Sequence, residues 1–205
     1  MTTPITIAVP KGYLLAETIK RFKNASIFFP DDFEKTRKLF TFDQSKSFKL
    51  IMVRPWDVPA YVEQGAADLG VVGKDVLYEQ NPDICELKNL NFGGCKLVIA
   101  GLKKQKPSEL PHHCKVVTKY PYSTERYFNK IGKKVKIIKL YGAIELGPLT
   151  GLSDIICDLT ATGKTLAEHN LKIIDTLVDS TAHFIANPIS LRIHYNQITK
   201  INSLL

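Results

Sequence analysis

Residues 158–165, Asp-Leu-Thr-Ala-Thr-Gly-Lys-Thr, concentrate the groups of this chain that could grip an anion. The apolar run 155–159 predicts a strand, which breaks into this small polar loop before a helix restarts at Leu166. Backbone N–H groups at a helix start have no partner within the helix and converge on an anion, and the hydroxyls of Thr160, Thr162 and Thr165 can add donors. Gly163 admits a ligand where a Cβ would intrude. Asp158 would repel a phosphate, so sugar hydroxyls or a cation suit it better. The Walker A loop shares its last three residues with Gly163, Lys164 and Thr165, but its first glycine would fall at Asp158, and no second acidic strand supplies its partner. A threonine-rich turn that merely precedes a helix is the plain alternative.

Such a loop acts only where a sheet presents it, and the chain alternates strand and helix patterns as an α/β fold with mainly parallel sheets requires. Residues 5–9 predict a first strand, stopped by Pro10, Lys11 and Gly12, and Leu14, Leu15, Ile19 and Phe22 then fall on one helical face. Lys11 and Gly12 thus stand where open α/β sheets place ligands, although a solvated turn lysine is the commoner case. Strands are expected over 37–42 and 48–53, a helix over 57–64 and a buried strand ending in glycines by Gly73. Arg37 and Arg54 lie at strand ends, where forked guanidinium donors could clamp a diphosphate; surface salt bridging is the alternative.

Further strands are expected over 95–101, 116–118, 135–140 and 171–178. A helix is expected over 122–131 with Ser123 as its cap, and another over 189–205. His112, His113 and Cys114 have no further ligands at zinc-site spacing and read as loop residues, and His183 reads as a core or lobe-interface residue.

The 205 residues are 44% hydrophobic and 23% charged, the balance of a globular protein, with a net charge of +8 that favours an anionic partner. The basic residues are spread along the chain without the aromatic interleaving of RNA-binding proteins, so no nucleic acid is expected. The lysine run within 130–139 reads as a solvated strand edge. No segment approaches a membrane span, no export signal opens the chain, and four cysteines without a CxxC pair read as reduced, mostly buried thiols; a cytoplasmic protein is expected.

Glu145, Gly151, Ser153, Ile156, Asp158, Leu159, Thr162, Gly163, Thr165 and Leu166 together resemble, in type and spacing, the signature of the ATP phosphoribosyltransferases. The stretches 53–77, 119–128 and 180–188 are similar to that family as well, and 53–77 also resembles type II periplasmic binding proteins. The resemblance implies a two-lobed, type II periplasmic-binding-protein-like fold with a cleft between lobes. The first lobe would be 1–92 plus 172–205 and the second 93–171. It implies transfer of a phosphoribosyl group from phosphoribosyl pyrophosphate to N1 of ATP, with Mg²⁺, as the first step of histidine biosynthesis.

Thr160, Ala161, Thr162, Gly163, Lys164 and Thr165 would hold the sugar's 5′-phosphate, and Asp158 and Glu145 the ribose hydroxyls or the metal surroundings. Arg37 and Arg54 would stabilise the pyrophosphate, while Lys11, Gly12, Asp68 and Gly73 would face ATP. No residue is assigned as a dedicated metal ligand. Tyr13 departs from the arginine usual after Pro-Lys-Gly in the family. Resemblance to the short form, which lacks a histidine-binding domain, implies a homo-oligomer joined by a regulatory subunit similar to histidyl-tRNA synthetase. A non-catalytic small-anion binder on the same fold is the alternative reading.

Overall fold

Strand β1 (Ile5–Pro10) is apolar at nearly every position because both of its faces are covered. Ile5, Ile7 and Val9 point to one side, against Leu15 and Phe22 of helix α1 (Tyr13–Asn24), while Ala8 points to the other, against Val58 and Val62 of α2 (Val58–Glu63). Alternate side chains of a strand face opposite sides, so a strand buried on both must lie inside a sheet with helices on each face. The computed structural model describes residues 3–30 and 32–205.

Four more strands join β1 in the first part of the chain: β2 (Phe40–Phe42), β3 (Phe48–Val53), β4 (Leu69–Gly73) and β5 (Cys85–Asn89), with helix α3 (Lys74–Gln80) after β4. At Gly70 of β4 an added Cβ would come within 2.9 Å of Val58 Cγ1 and of Val62 Cγ2, so α2 packs directly on that bare backbone. A later strand, β11 (Ala182–Ala186), inserts between β4 and β5, giving the order β2-β3-β1-β4-β11-β5. Helices α7 (Pro188–Ile193) and α8 (Tyr195–Leu204) follow it.

The second sheet consists of β6 (Cys95–Gly101), β7 (Lys115–Thr118), β8 (Lys136–Lys139), β9 (Ile155–Thr160) and β10 (Lys172–Ser180), in the order β10-β6-β9-β7-β8. Helices α4 (Pro121–Lys130), α5 (Leu146–Leu149) and α6 (Lys164–Glu168) connect its strands. Val98, Ala100, Val117 and Ile156 form one face of its core, closed by Ile144, Leu166 and Leu171.

The chain divides into two compact units, Met1–Gly93 with Thr181–Leu205, and Gly94–Ser180. Several expectations change here. Residues 172–180, expected in the first lobe, pair antiparallel with β6 and belong to the second unit. Both sheets are mixed rather than mainly parallel. Each keeps a parallel core, β3-β1-β4 and β9-β7-β8, to which antiparallel strands are added.

The strand expected from Arg37 is shorter: residues 37–39 are irregular after the 3-10 turn at residues 33–35, and β2 starts at Phe40. Ser123 does not cap α4: Pro121 opens that helix behind Tyr120, and Ser123 is buried within it. The single terminal helix is two, broken at His194. The first is capped by the Asn187 side chain, which accepts from the amides of Ile189 and Ser190. Helices α3 and α5 carry too few apolar positions to show a period in the sequence.

Candidate active site

In the second unit β9 and β7 run parallel, with Thr118 level with Cys157, so the turn 161–163 that joins β9 to α6 leaves the carboxyl end of the parallel pair. Open α/β sheets bind ligands at this end. Gly163 turns the chain into α6 with φ +74, a left-handed conformation that a side chain disfavours, and an added Cβ there would meet nothing within 4 Å. Helix α6 therefore starts at Lys164, two residues earlier than the sequence pattern predicts.

The Gly163 amide donates to Thr160 Oγ1 at 2.8 Å, and the Lys164 amide reaches Thr162 Oγ1 at a long 3.4 Å. These two hydroxyls thus brace the loop as acceptors, and each keeps its own proton to donate outward. The amides of Thr165 and Leu166 lie in the first turn, where no carbonyl of their helix can reach them. Ala161, Thr162, Lys164 and Thr165 are exposed.

Asp158 is half-buried at the end of β9, and its carboxyl is pushed up to about 6, first by burial and further by the nearby Glu145. A backbone hydrogen bond from Leu159 and the charge of Lys119 pull in the opposite direction. Glu145 sits just ahead of α5, so two carboxylates and one ammonium gather beside the loop. Lys119 escaped the sequence reading, although it follows a strand in the way Lys11 does. Among the described residues no three His, Cys, Asp or Glu side chains cluster as a metal site.

In the first unit, the pairings Pro10↔Val53 and Ala8↔Gly70 carry on to set Lys11 level with Arg54 and Gly73 at the carboxyl ends of β1, β3 and β4. The Lys11 amide donates to the Val53 carbonyl at 3.4 Å. A pocket of about 530 Å³ takes in Lys11, Arg37 and Arg54, with Met52 and Tyr61 among its walls and Asp57 as its acidic member. Gly12, at φ 95, starts α1 beside it, its carbonyl accepting from the amides of Leu15 and Ala16.

Asp68 does not join this group. It precedes β4 at the opposite edge of the sheet, where one carboxylate oxygen accepts from the Thr6 amide at 2.7 Å and the other from Ser190 Oγ at 2.6 Å. With both oxygens engaged in the fold, it is a structural residue. His183 is a buried member of β11 whose Nδ1 lies 2.8 Å from Glu86 Oε1, and Lys74 Nζ lies 2.5 Å from Glu86 Oε2. Burial is the main cause that lowers the His183 pKa, against the pull of Glu86. Tyr13 is exposed and meets Phe92 edge to face at 6.3 Å.

The family model described as ATP phosphoribosyltransferase matches residues 54–205. An ATP phosphoribosyltransferase of Rippkaea orientalis is 44% identical over 98% of this chain and 99% of its own length. Among solved structures, an ATP phosphoribosyl transferase (HisG:HisZ) complex from Thermotoga maritima aligns with TM-score 0.83 and 32% identity, covering 98% of each chain. A mutant of ArgBP from T. maritima, 11% identical, shares the fold with TM-score 0.59, covering 98% of this chain and 87% of that one. The architecture is thus the two-lobed α/β fold of the type II periplasmic-binding-protein kind, and the chain belongs to the ATP phosphoribosyltransferase family.

Proposed function

We propose that this chain catalyses the attack of N1 of the ATP adenine on C1 of phosphoribosyl pyrophosphate, with Mg²⁺ present. The new N–C bond forms as the bond from C1 to the diphosphate oxygen breaks, and phosphoribosyl-ATP and pyrophosphate result. The observation that carries this reading is the Gly163-turned loop lying next to the Asp158 and Glu145 carboxylates. A sugar phosphate needs both parts: amides and hydroxyls for its terminal phosphoryl group, and carboxylate acceptors for its ring hydroxyls.

The chemistry asks little of general acids and bases. Positive charge grows on the sugar carbon and negative charge on the departing diphosphate, so rate comes from alignment and from donors aimed at the leaving group. The residues of loop 160–165 would hold the 5′-phosphate, and Asp158 and Glu145 the 2′ and 3′ hydroxyls. Lys11, Arg37 and Arg54 line one pocket of the first unit, which supports a polyanion site there. Arg37 and Arg54 would stabilise the pyrophosphate there, while Lys11, Gly12 and Gly73 lie at the sheet edge assigned to ATP.

Magnesium commonly binds one or two carboxylates together with substrate phosphate oxygens. The Asp158 and Glu145 pair, whose mutual repulsion helps to raise the Asp158 pKa, fits an ion held jointly with the diphosphate. Such an ion would neutralise charge on the leaving group.

The two-protein complex solved from Thermotoga maritima supports a second subunit, which we take to be regulatory and similar to histidyl-tRNA synthetase; we take the catalytic core to be a homo-oligomer. The setting would be the cytoplasm; among the described residues no helix is long and apolar enough to cross a membrane. The test is direct. The protein is mixed with ATP, phosphoribosyl pyrophosphate and Mg²⁺, and the ultraviolet absorbance of the adduct is followed. A flat trace at high protein concentration would reject the reading.

A further inference from the structure

We propose that Tyr61 and Asp57 read the adenine of ATP, the Tyr61 ring stacking on the base and the Asp57 carboxylate accepting a hydrogen bond from its N6 amino group. The inference rests on the function proposed above and names how that substrate's base is recognised.

The make-up of the first unit's pocket points to a nucleotide. Beside Lys11, Arg37 and Arg54, its wall holds Tyr61, Leu39 and Met52. A bare diphosphate gains nothing from an aromatic ring or an aliphatic wall, and it fills little of the roughly 530 Å³. A nucleotide uses both parts, apolar surface for its base and cations for its phosphates. Tyr61 is 41% exposed and Leu39 69%, so both keep apolar surface that a base would cover.

Helix α2 holds the two reading residues together. Asp57 ends a 3-10 turn (Pro55–Asp57) and stands four residues before Tyr61, so the two share a face of α2. The opposite face is fixed, because Val58 and Val62 pack on Gly70 of β4. Asp57 occupies the amino cap of α2, yet its side chain makes no capping hydrogen bond, and the carboxylate is left for the pocket it lines.

The charges on the wall match those that develop in the reaction. As N1 attacks C1, its lone pair becomes the new bond and the purine gains positive charge shared between N1 and N6. The diphosphate leaves with the electrons of the broken bond. Three cations of the pocket suit the departing anion, and Asp57 suits the base. An ionised carboxylate only accepts hydrogen bonds, so it favours the N6 amino group of adenine and repels O6 of guanine.

Isothermal titration of the full chain with ATP, GTP and inorganic pyrophosphate separates the base from the phosphates. For Tyr61→Ala, affinity for ATP should fall about tenfold or more, while affinity for pyrophosphate stays within about twofold of wild type. Tyr61→Phe, which keeps the ring, should recover most of the loss. If Tyr61→Ala melts earlier than wild type, Tyr61→Leu is read in its place. For Asp57→Asn, kcat should fall about tenfold or more with a smaller change in the KM for ATP, and the preference for ATP over GTP in binding should narrow.

Unchanged ATP affinity in Tyr61→Ala would overturn the proposal. So would an equal loss for ATP and pyrophosphate, which would make Tyr61 a support of the pocket alone, or an Asp57→Asn protein with the turnover and base preference of wild type. In each case a wild-type protein that still forms phosphoribosyl-ATP leaves the function standing, whereas a wild type that forms none takes both readings down.

Discussion

The Ser190 hydroxyl donates to an Asp68 carboxylate oxygen at 2.6 Å, tying the start of α7 to the head of β4. The other oxygen of Asp68 holds the Thr6 amide, and its carbonyl accepts from the Asn187 amide at 2.9 Å. Asp68→Ala should therefore act on stability: the half-buried Thr6 amide and Ser190 hydroxyl would lose their acceptor, at about 1–3 kcal/mol. The expected result in a melting experiment is a Tm lower by several degrees, with the KM for ATP of the folded enzyme unchanged. A large rise in that KM without a loss of stability would restore Asp68 to the ATP site.

Arg54 and Arg37 share one pocket, and both are exposed at its edge. If they meet charge that grows only as pyrophosphate departs, Arg54→Ala should lower kcat about 100-fold while the KM for phosphoribosyl pyrophosphate moves much less. Arg37→Ala should behave alike, and the double variant should lose less than the product of the two. Steady-state kinetics on the three variants decides this, and unchanged turnover would remove the arginines from the chemistry.

Gly163 has open space where a side chain would begin, so its replacement is limited by the backbone. At φ +74 an L-residue costs about 1–2 kcal/mol, more if β-branched. Gly163→Val should draw the turn toward ordinary φ, misdirect the amides of α6 and abolish measurable binding of the sugar phosphate. Normal affinity by isothermal titration would show that the loop does not cradle the phosphate.

Asp158 titrates near 6 in the folded chain against an ordinary value of 3.8, mainly through burial. The folded state thus holds this proton more tightly, so the group's stabilising contribution is complete below 3.8 and is lost as pH rises through 6. Above that range the ionised carboxylate costs the unliganded fold on the order of 2 kcal/mol. Asp158→Asn should accordingly raise the Tm of the substrate-free protein at pH 8, by an amount that shrinks as pH falls toward 4, while weakening sugar binding. A Tm advantage independent of pH would contradict this assignment.

The loop, the strand that leads into it and the Lys11 and Arg54 strand ends were legible because each is written locally, in β-branched runs stopped by proline, glycine or threonine. What failed depends on partners distant in the chain. Asp68 and Gly73 are separated by one strand, and only the parallel ladder reveals that they stand at opposite edges of the sheet. Lys119 becomes conspicuous once β7 lies beside β9, a pairing of residues 39 apart. Strand β10 was assigned to the wrong unit because its partner β6 is remote, and register shifts between Ile173 and Asp175 and between Thr176 and Val178 blur its alternation.

Insertion of β11 between β4 and β5 sets an order of events for a chain emerging from the ribosome. Everything from Gly94 to Ser180 is available to collapse on itself before Ala182–Ala186 is translated, yet the older first ninety or so residues must wait with two strands unjoined. The amino-terminal half is thus made first and completed last. A released chain truncated after Ser180 should resist protease within Gly94–Ser180 and be cut readily before it.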